Sequence, residues 1–181
     1  MLNLIRQDNA KDDNDDATLL KILFSYCGVG LWDAKLHNGD PMHEKSEWTW
    51  SGEFRRLLGF DRNDTRNFPN VVNSWSDRLH TEDKQPTFDA FMACINDKTG
   101  KTDYDVEYRV KMYNGEYRWF RAVGGVSRDK NGFPLRACGA LIDIHEQKNI
   151  KQRYEVLSHY AGVGLWDAVL HNGDPMHEKS Q

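Results

Sequence analysis

Apolar residues follow two rhythms along this chain. Leu19, Leu20, Ile22, Leu23, Tyr26 and Cys27 recur at helical spacing and predict a helix over 17–27, which Gly28 and Gly30 bring to an end. Residues 29–36 read as a strand. A turn-rich loop opening with His37-Asn38-Gly39-Asp40-Pro41 runs to about Ser46, and 47–51 is a second strand. A short helix over 52–58 stops at Gly59. Helical spacing returns at 68–79 and 82–96, the latter with Thr81 as its N-cap and Glu82 and Asp83 in its first turn. From residue 103 the period falls to two, with Tyr104, Val106, Tyr108 and Val110 on one face and Asp105, Glu107, Arg109 and Lys111 on the other. Asn114-Gly115 marks a hairpin turn, and 115–127 and 135–144 complete a three-strand meander. Two strands, then helices, then three strands make an α+β fold. The expected architecture is one five-stranded antiparallel sheet with helices on one face, flanked by N- and C-terminal helices.

An internal repeat cuts across this pattern. Residues 26–46 read YCGVGLWDAKLHNGDPMHEKS and 160–180 read YAGVGLWDAVLHNGDPMHEKS, differing only at Cys27/Ala161 and Lys35/Val169. The chain is therefore expected to hold one full unit and the opening of another. Its divisions are an acidic disordered segment at 1–16, a helix at 17–27, the main domain at 28–146, a linker helix at 147–160 and a truncated second copy at 161–181. The second copy is expected to pair along an exposed edge of a neighbouring molecule or to be held by dimer contacts, with exchange into the slot of the first copy as the alternative.

Composition narrows the function. Hydrophobic residues make up 39%, aromatic residues 12% and charged residues 29%, and the net charge is −4. That is enough apolar material for a core, with no basic field for nucleic acid. No apolar run is long enough to cross a bilayer, and no signal peptide is visible. Cys27, Cys94 and Cys138 are an odd, widely spaced set, expected to be small buried residues in a reducing compartment. The chain contains no phosphate-binding glycine loop, no GxSxG and no HExxH, so no enzyme is expected. His43-Glu44 and His177-Glu178, with His37 and Asp40 nearby, read as solvated loop rather than as a metal site.

Several short stretches resemble the PAS family. WSGEFRRLLGF at 50–60 is similar to its second strand and first helix, and Leu79-His80-Thr81-Glu82-Asp83 to its HPxD helix start, with Thr81 in place of proline. Tyr108-Arg109-Val110, GEYRWF at 115–120 and GFPLR at 132–136 resemble its final meander, and DIHEQK at 143–148 its strand-to-helix exit. The resemblance covers about 26–148 and looks like the subtype of bacterial chemoreceptors and sensor kinases. It implies a cytoplasmic sensory module, whose full-length protein is either membrane-associated or free. It also implies a pocket between sheet and helices that holds a flavin, a haem or a small organic ligand, or stays closed. The pocket candidates are Trp75, Leu79, His80, Phe88, Phe91, Met92, Tyr108 and Trp119. Covalent flavin photochemistry is excluded, because the Asn-Cys-Arg motif it needs is absent from 67–75. Noncovalent flavin stays open, as does haem with His80 as axial ligand. Neither cofactor is demanded by any residue.

The expected mechanism is conformational. A change in the pocket alters packing against the last strand, and Asp143, Ile144 and Lys148 relay it into the following helix. Ile150, Tyr154, Leu157 and Ala161 form a stripe on that helix suited to self-association or to docking on the neighbouring repeat and a downstream signalling domain. The alternative is a ligand-free module acting only in protein–protein interaction and dimerisation.

Overall fold

The computed structural model describes residues 19, 22–24 and 26–161. The expectations for 1–16 and for the second copy beyond Ala161 lie outside them. Leu19, residues 22–24 and Tyr26 are helical. The order then runs β1 (Gly30–Lys35), β2 (Glu47–Trp50), α1 (Gly52–Leu57), α2 (Asn73–Ser76), α3 (Thr81–Asn96), β3 (Tyr104–Lys111), β4 (Tyr117–Arg128), β5 (Pro134–Asp143) and α4 (His145–Ala161). The strands form one antiparallel sheet in the order β2-β1-β5-β4-β3, so the first and last strands in sequence lie side by side at its centre. The described residues up to His145 form one compact unit, and α4 continues in a second unit from Glu146.

Alternation decides which face of the sheet is buried. Trp32 and Ala34, Trp48 and Trp50, Tyr104, Tyr108 and Val110, Phe120 and Ala122, and Ala137 and Leu141 all point to the helical side and are buried. Phe54, Leu58, Phe60, Phe68, Trp75, Leu79, Phe91, Cys94 and Ile95 close over them. The indole of Trp32 is so large that it fits only because Gly124 and Gly139 lie beneath it. A Cβ at either glycine would strike its six-membered ring.

The helix expected over 68–79 is reduced to the four residues of α2. Asp61 and Asp64 turn the preceding backbone by accepting N–H bonds from Asn63, Arg66 and Asn67 at 2.8–3.1 Å, and such local bonds compete with helix formation. This loop is pinned from inside by Arg55, whose buried guanidinium donates to the carbonyls of Phe68 (3.1 Å) and Trp50 (2.6 Å) and to Asn70 Oδ1 (2.7 Å). Burial pushes the Arg55 pKa down. The cap of α3 is His80 rather than Thr81. His80 has extended backbone angles, and its Nδ1 accepts the Glu82 N–H at 3.3 Å. Of the three cysteines only Cys94 is buried, whereas Cys27 and Cys138 are exposed. Cys138 lies on the outer face of β5, which alternation turns away from the core.

Candidate functional site

The space between sheet and helices is lined by Trp32, Trp48, Trp50, Phe54, Trp75, Phe91, Tyr104 and Tyr108. Its rings interlock: Trp48 stacks on Trp50 at 5.2 Å and on Trp75 at 6.3 Å, and Phe91 meets Tyr104 edge-on at 5.1 Å. What remains open is about 10 Å³, the room of a single water. Polar groups inside are few. Trp75 Nε1 donates to the Tyr108 hydroxyl at 3.1 Å, and the Tyr104 hydroxyl faces that of Tyr108 without a well-aligned hydrogen bond. Burial pushes both phenols well above the usual tyrosine range.

Three of the eight sequence candidates, Trp75, Phe91 and Tyr108, line this space. Phe88 and Met92 pack half-buried against the same core, and Leu79 is buried where it bridges to Val110 at the sheet edge. His80 and Trp119 lie elsewhere. The His80 ring stands edge-on to Tyr117 at 4.9 Å, outside the aromatic layer, and its Nδ1 is taken by the helix cap. His80 does not line the interior, and a space of about 10 Å³ admits neither haem nor flavin without displacing several rings. Trp32, Trp48, Trp50, Phe54 and Tyr104 escaped the sequence candidates. For the four on strands the signal was alternation, which places Trp48 and Trp50 two apart on one face, whereas Phe54 lies in α1.

Trp119 belongs to a different arrangement, on the opposite face of the sheet. It pairs across the strands with Arg109, whose guanidinium lies 5.1 Å over the indole. Arg109 also reaches the first turn of α3. Its side chain donates to both carboxylate oxygens of Asp83 (2.8 and 2.7 Å) and to Glu82 (2.7 Å), and its backbone N–H donates to Asp83 Oδ2 at 2.8 Å. These bonds hold the Asp83 and Glu82 carboxyls below their usual range and push Arg109 up. Ligand atoms of His80, Glu82 and Asp83 lie within 4.8 Å of one another, a spacing a cation would accept. The Arg109 guanidinium is already the cation there.

At its other end the arrangement meets the strand exit. The Trp119 carbonyl accepts the N–H of buried Ile144 at 3.1 Å. Asp143 accepts the His145 N–H at 2.9 Å and pairs with Arg118 at 3.0 Å. Of the relay candidates, Asp143 and Ile144 thus sit in the junction, and Lys148 lies half-buried within α4. Sequence reasoning missed Arg109, although alternation sets it on the face opposite Tyr108 and Val110.

The comparisons with known proteins agree with this architecture. A family model described as PAS fold matches residues 47–141. An uncharacterised protein of Pseudomonas chlororaphis is 31% identical over 163 residues, 85% of this chain and 60% of that protein. The sensor protein FixL of Bradyrhizobium diazoefficiens is 28% identical over 126 residues, 68% of this chain and 22% of FixL. The chain therefore spans less than two thirds of either relative. A solved sensory box histidine kinase/response regulator from Burkholderia thailandensis superposes with a TM-score of 0.63 at 22% identity, covering 79% of this chain and 97% of that one, a likeness of fold. Among the described residues, no helix is long and apolar enough to cross a membrane.

Proposed function

This chain belongs to the PAS fold family, and from that premise we propose that it is a signal-relay module of a larger signalling protein of the chemoreceptor or sensor-kinase class, acting through conformation rather than bond chemistry. The observation that carries the reading is the unbroken series Asp83, Arg109, Trp119, Ile144. It runs from the start of α3 across the outer face of β3 and β4 to the residue before α4. Motion of α3 pulls on Asp83, Arg109 transmits the pull to Trp119, and the Ile144 bond is made or broken. A junction where the last strand hands over to a helix is a natural two-state element.

The interior supports a relay that needs neither flavin nor haem, because its own rings fill the layer where either would lie. Output passes to a downstream domain or a second subunit, for which the exposed Ile150, Tyr154 and Leu157 on α4 offer an apolar stripe. One observation favours a second reading, sensing of a small organic ligand. Tyr104 is 3% exposed and its hydroxyl makes no well-aligned hydrogen bond, so a ligand with one polar group would gain a bond there as Trp75 or Phe91 swings aside. The absorption spectrum of the purified chain tests the first reading. The expected result is no band beyond the protein region, and a flavin or haem band at stoichiometric occupancy would overturn it. A rise in melting temperature with a small aromatic metabolite, lost in Tyr104→Phe, would select the second.

A further inference from the structure

The first copy of the repeated sequence builds β1 and the loop after it, and the slot it fills is selective. At Gly30 a Cβ would stand 2.7 Å from Phe54 Cα, so only glycine fits. Trp32 needs the bare backbone of Gly124 and Gly139, and Ala34 is wholly buried. The loop is closed by the His37 N–H donating to Ser46 Oγ at 2.8 Å and the Ser46 hydroxyl donating to the Asp40 carbonyl at 2.6 Å. Trp48 Nε1 then donates to the carbonyl of buried Pro41 at 2.9 Å.

The second copy supplies every one of these residue types in the same order: Gly164, Trp166, Ala168, His171, Asp174, Pro175 and Ser180. Its two differences fall where the slot makes no demand. Lys35, replaced by Val169, makes only an exposed ion pair with Glu47, a class of interaction worth little. Cys27, replaced by Ala161, is exposed.

We infer that residues 164–180 are a docking segment for a second copy of this chain, entering its β1 slot in place of residues 30–46. The packing and hydrogen bonds that the departing segment gives up are then nearly the same as those the incoming one makes. That is the situation in which exchange of an identical element makes dimers at low cost. The occupied slot is a neighbour's, so the exchange raises the mass of the particle.

Gly30→Val, Gly164→Val and the double variant test this, by light-scattering mass over a concentration series, far-UV circular dichroism and hydrogen exchange. The wild type is expected to dimerise reversibly and Gly164→Val to stay folded but monomeric. Gly30→Val should keep its sheet, dimerise at least as strongly, and gain amide protection over 164–169. The double variant should lose the sheet. A monomeric wild type, an unchanged mass in Gly164→Val, or a Gly30→Val chain as unfolded as the double variant would each overturn the inference.

Discussion

The Arg109 guanidinium lies over the Trp119 indole, 5.1 Å from its centre, while its nitrogens grip Asp83 at 2.7–2.8 Å. One side chain thereby joins the helical layer to the outer face of the sheet.

Arg109→Met keeps the apolar stem and removes both interactions. Asp83, with a side chain 15% exposed, is left without its cation. A loss of about 1–2 kcal/mol is expected, in line with hydrogen bonds to charged groups discounted for partial exposure. Urea denaturation of the variant measures it, and a loss below about 0.5 kcal/mol would show that the pair contributes little.

The same pair gives stability a pH dependence of known sign. Arg109 holds the Asp83 carboxyl below its ordinary value, so in acid the unfolded chain binds a proton before the folded one does. The contribution of Asp83 is complete above about pH 4, the ordinary carboxylate value, and declines as the pH falls through the lower native one. Asp83→Asn is expected to be less stable at neutral pH and to show a shallower fall below about pH 4. Midpoints of denaturation against pH compare the two slopes.

Trp119→Ala and Trp75→Ala should separate by magnitude. Trp75 is 4% exposed within the aromatic layer, and truncation is expected to cost about 3–5 kcal/mol. Trp119 is half-buried on the other face, with the Arg109 cation over its ring, and about 1–2 kcal/mol is expected. Equal losses would contradict the assignment of faces.

Gly124→Ala drives a methyl group into Trp32 and is expected to cost about 1–3 kcal/mol, the usual range for overpacking. Trp32→Phe shortens the ring, so the double variant should lose less than the sum of the single ones. Strict additivity would mean that the clash is with backbone alone.

The face of Trp119 also shows what was legible in the sequence. Alternation in β3 sets Tyr104, Val106, Tyr108 and Val110 on one face, and that face is the inward one. Alternation cannot, however, give the register of the next strand. A two-residue turn at Asn114-Gly115 would pair Val110 with Trp119 and turn the indole inward. Instead the Met112 N–H bonds to the Glu116 carbonyl at 2.8 Å, and Gly115 takes the left-handed conformation at φ +91° in a turn of one more residue. Tyr108 therefore faces Phe120, Arg109 faces Trp119, and a single step of register reverses the face. The five strands, the meander and α3 were readable because each rests on local periodicity, whereas the strand order β2-β1-β5-β4-β3 comes from long-range pairing. Both α2 and the Arg109 network depend on side-chain bonds, local from Asp61 and Asp64 or long-range between Asp83 and Arg109, which hydrophobic pattern does not encode.

Hydrogen exchange at the Ile144 amide tests the relay most directly. In the wild type this N–H is bonded to the Trp119 carbonyl, immediately before α4 begins. In Arg109→Met, Ile144 is expected to exchange roughly tenfold faster or more, while Leu141, deeper inside the strand, keeps its wild-type protection. Unchanged exchange at Ile144, or an equal rise at both amides, would contradict a path through Arg109 and Trp119.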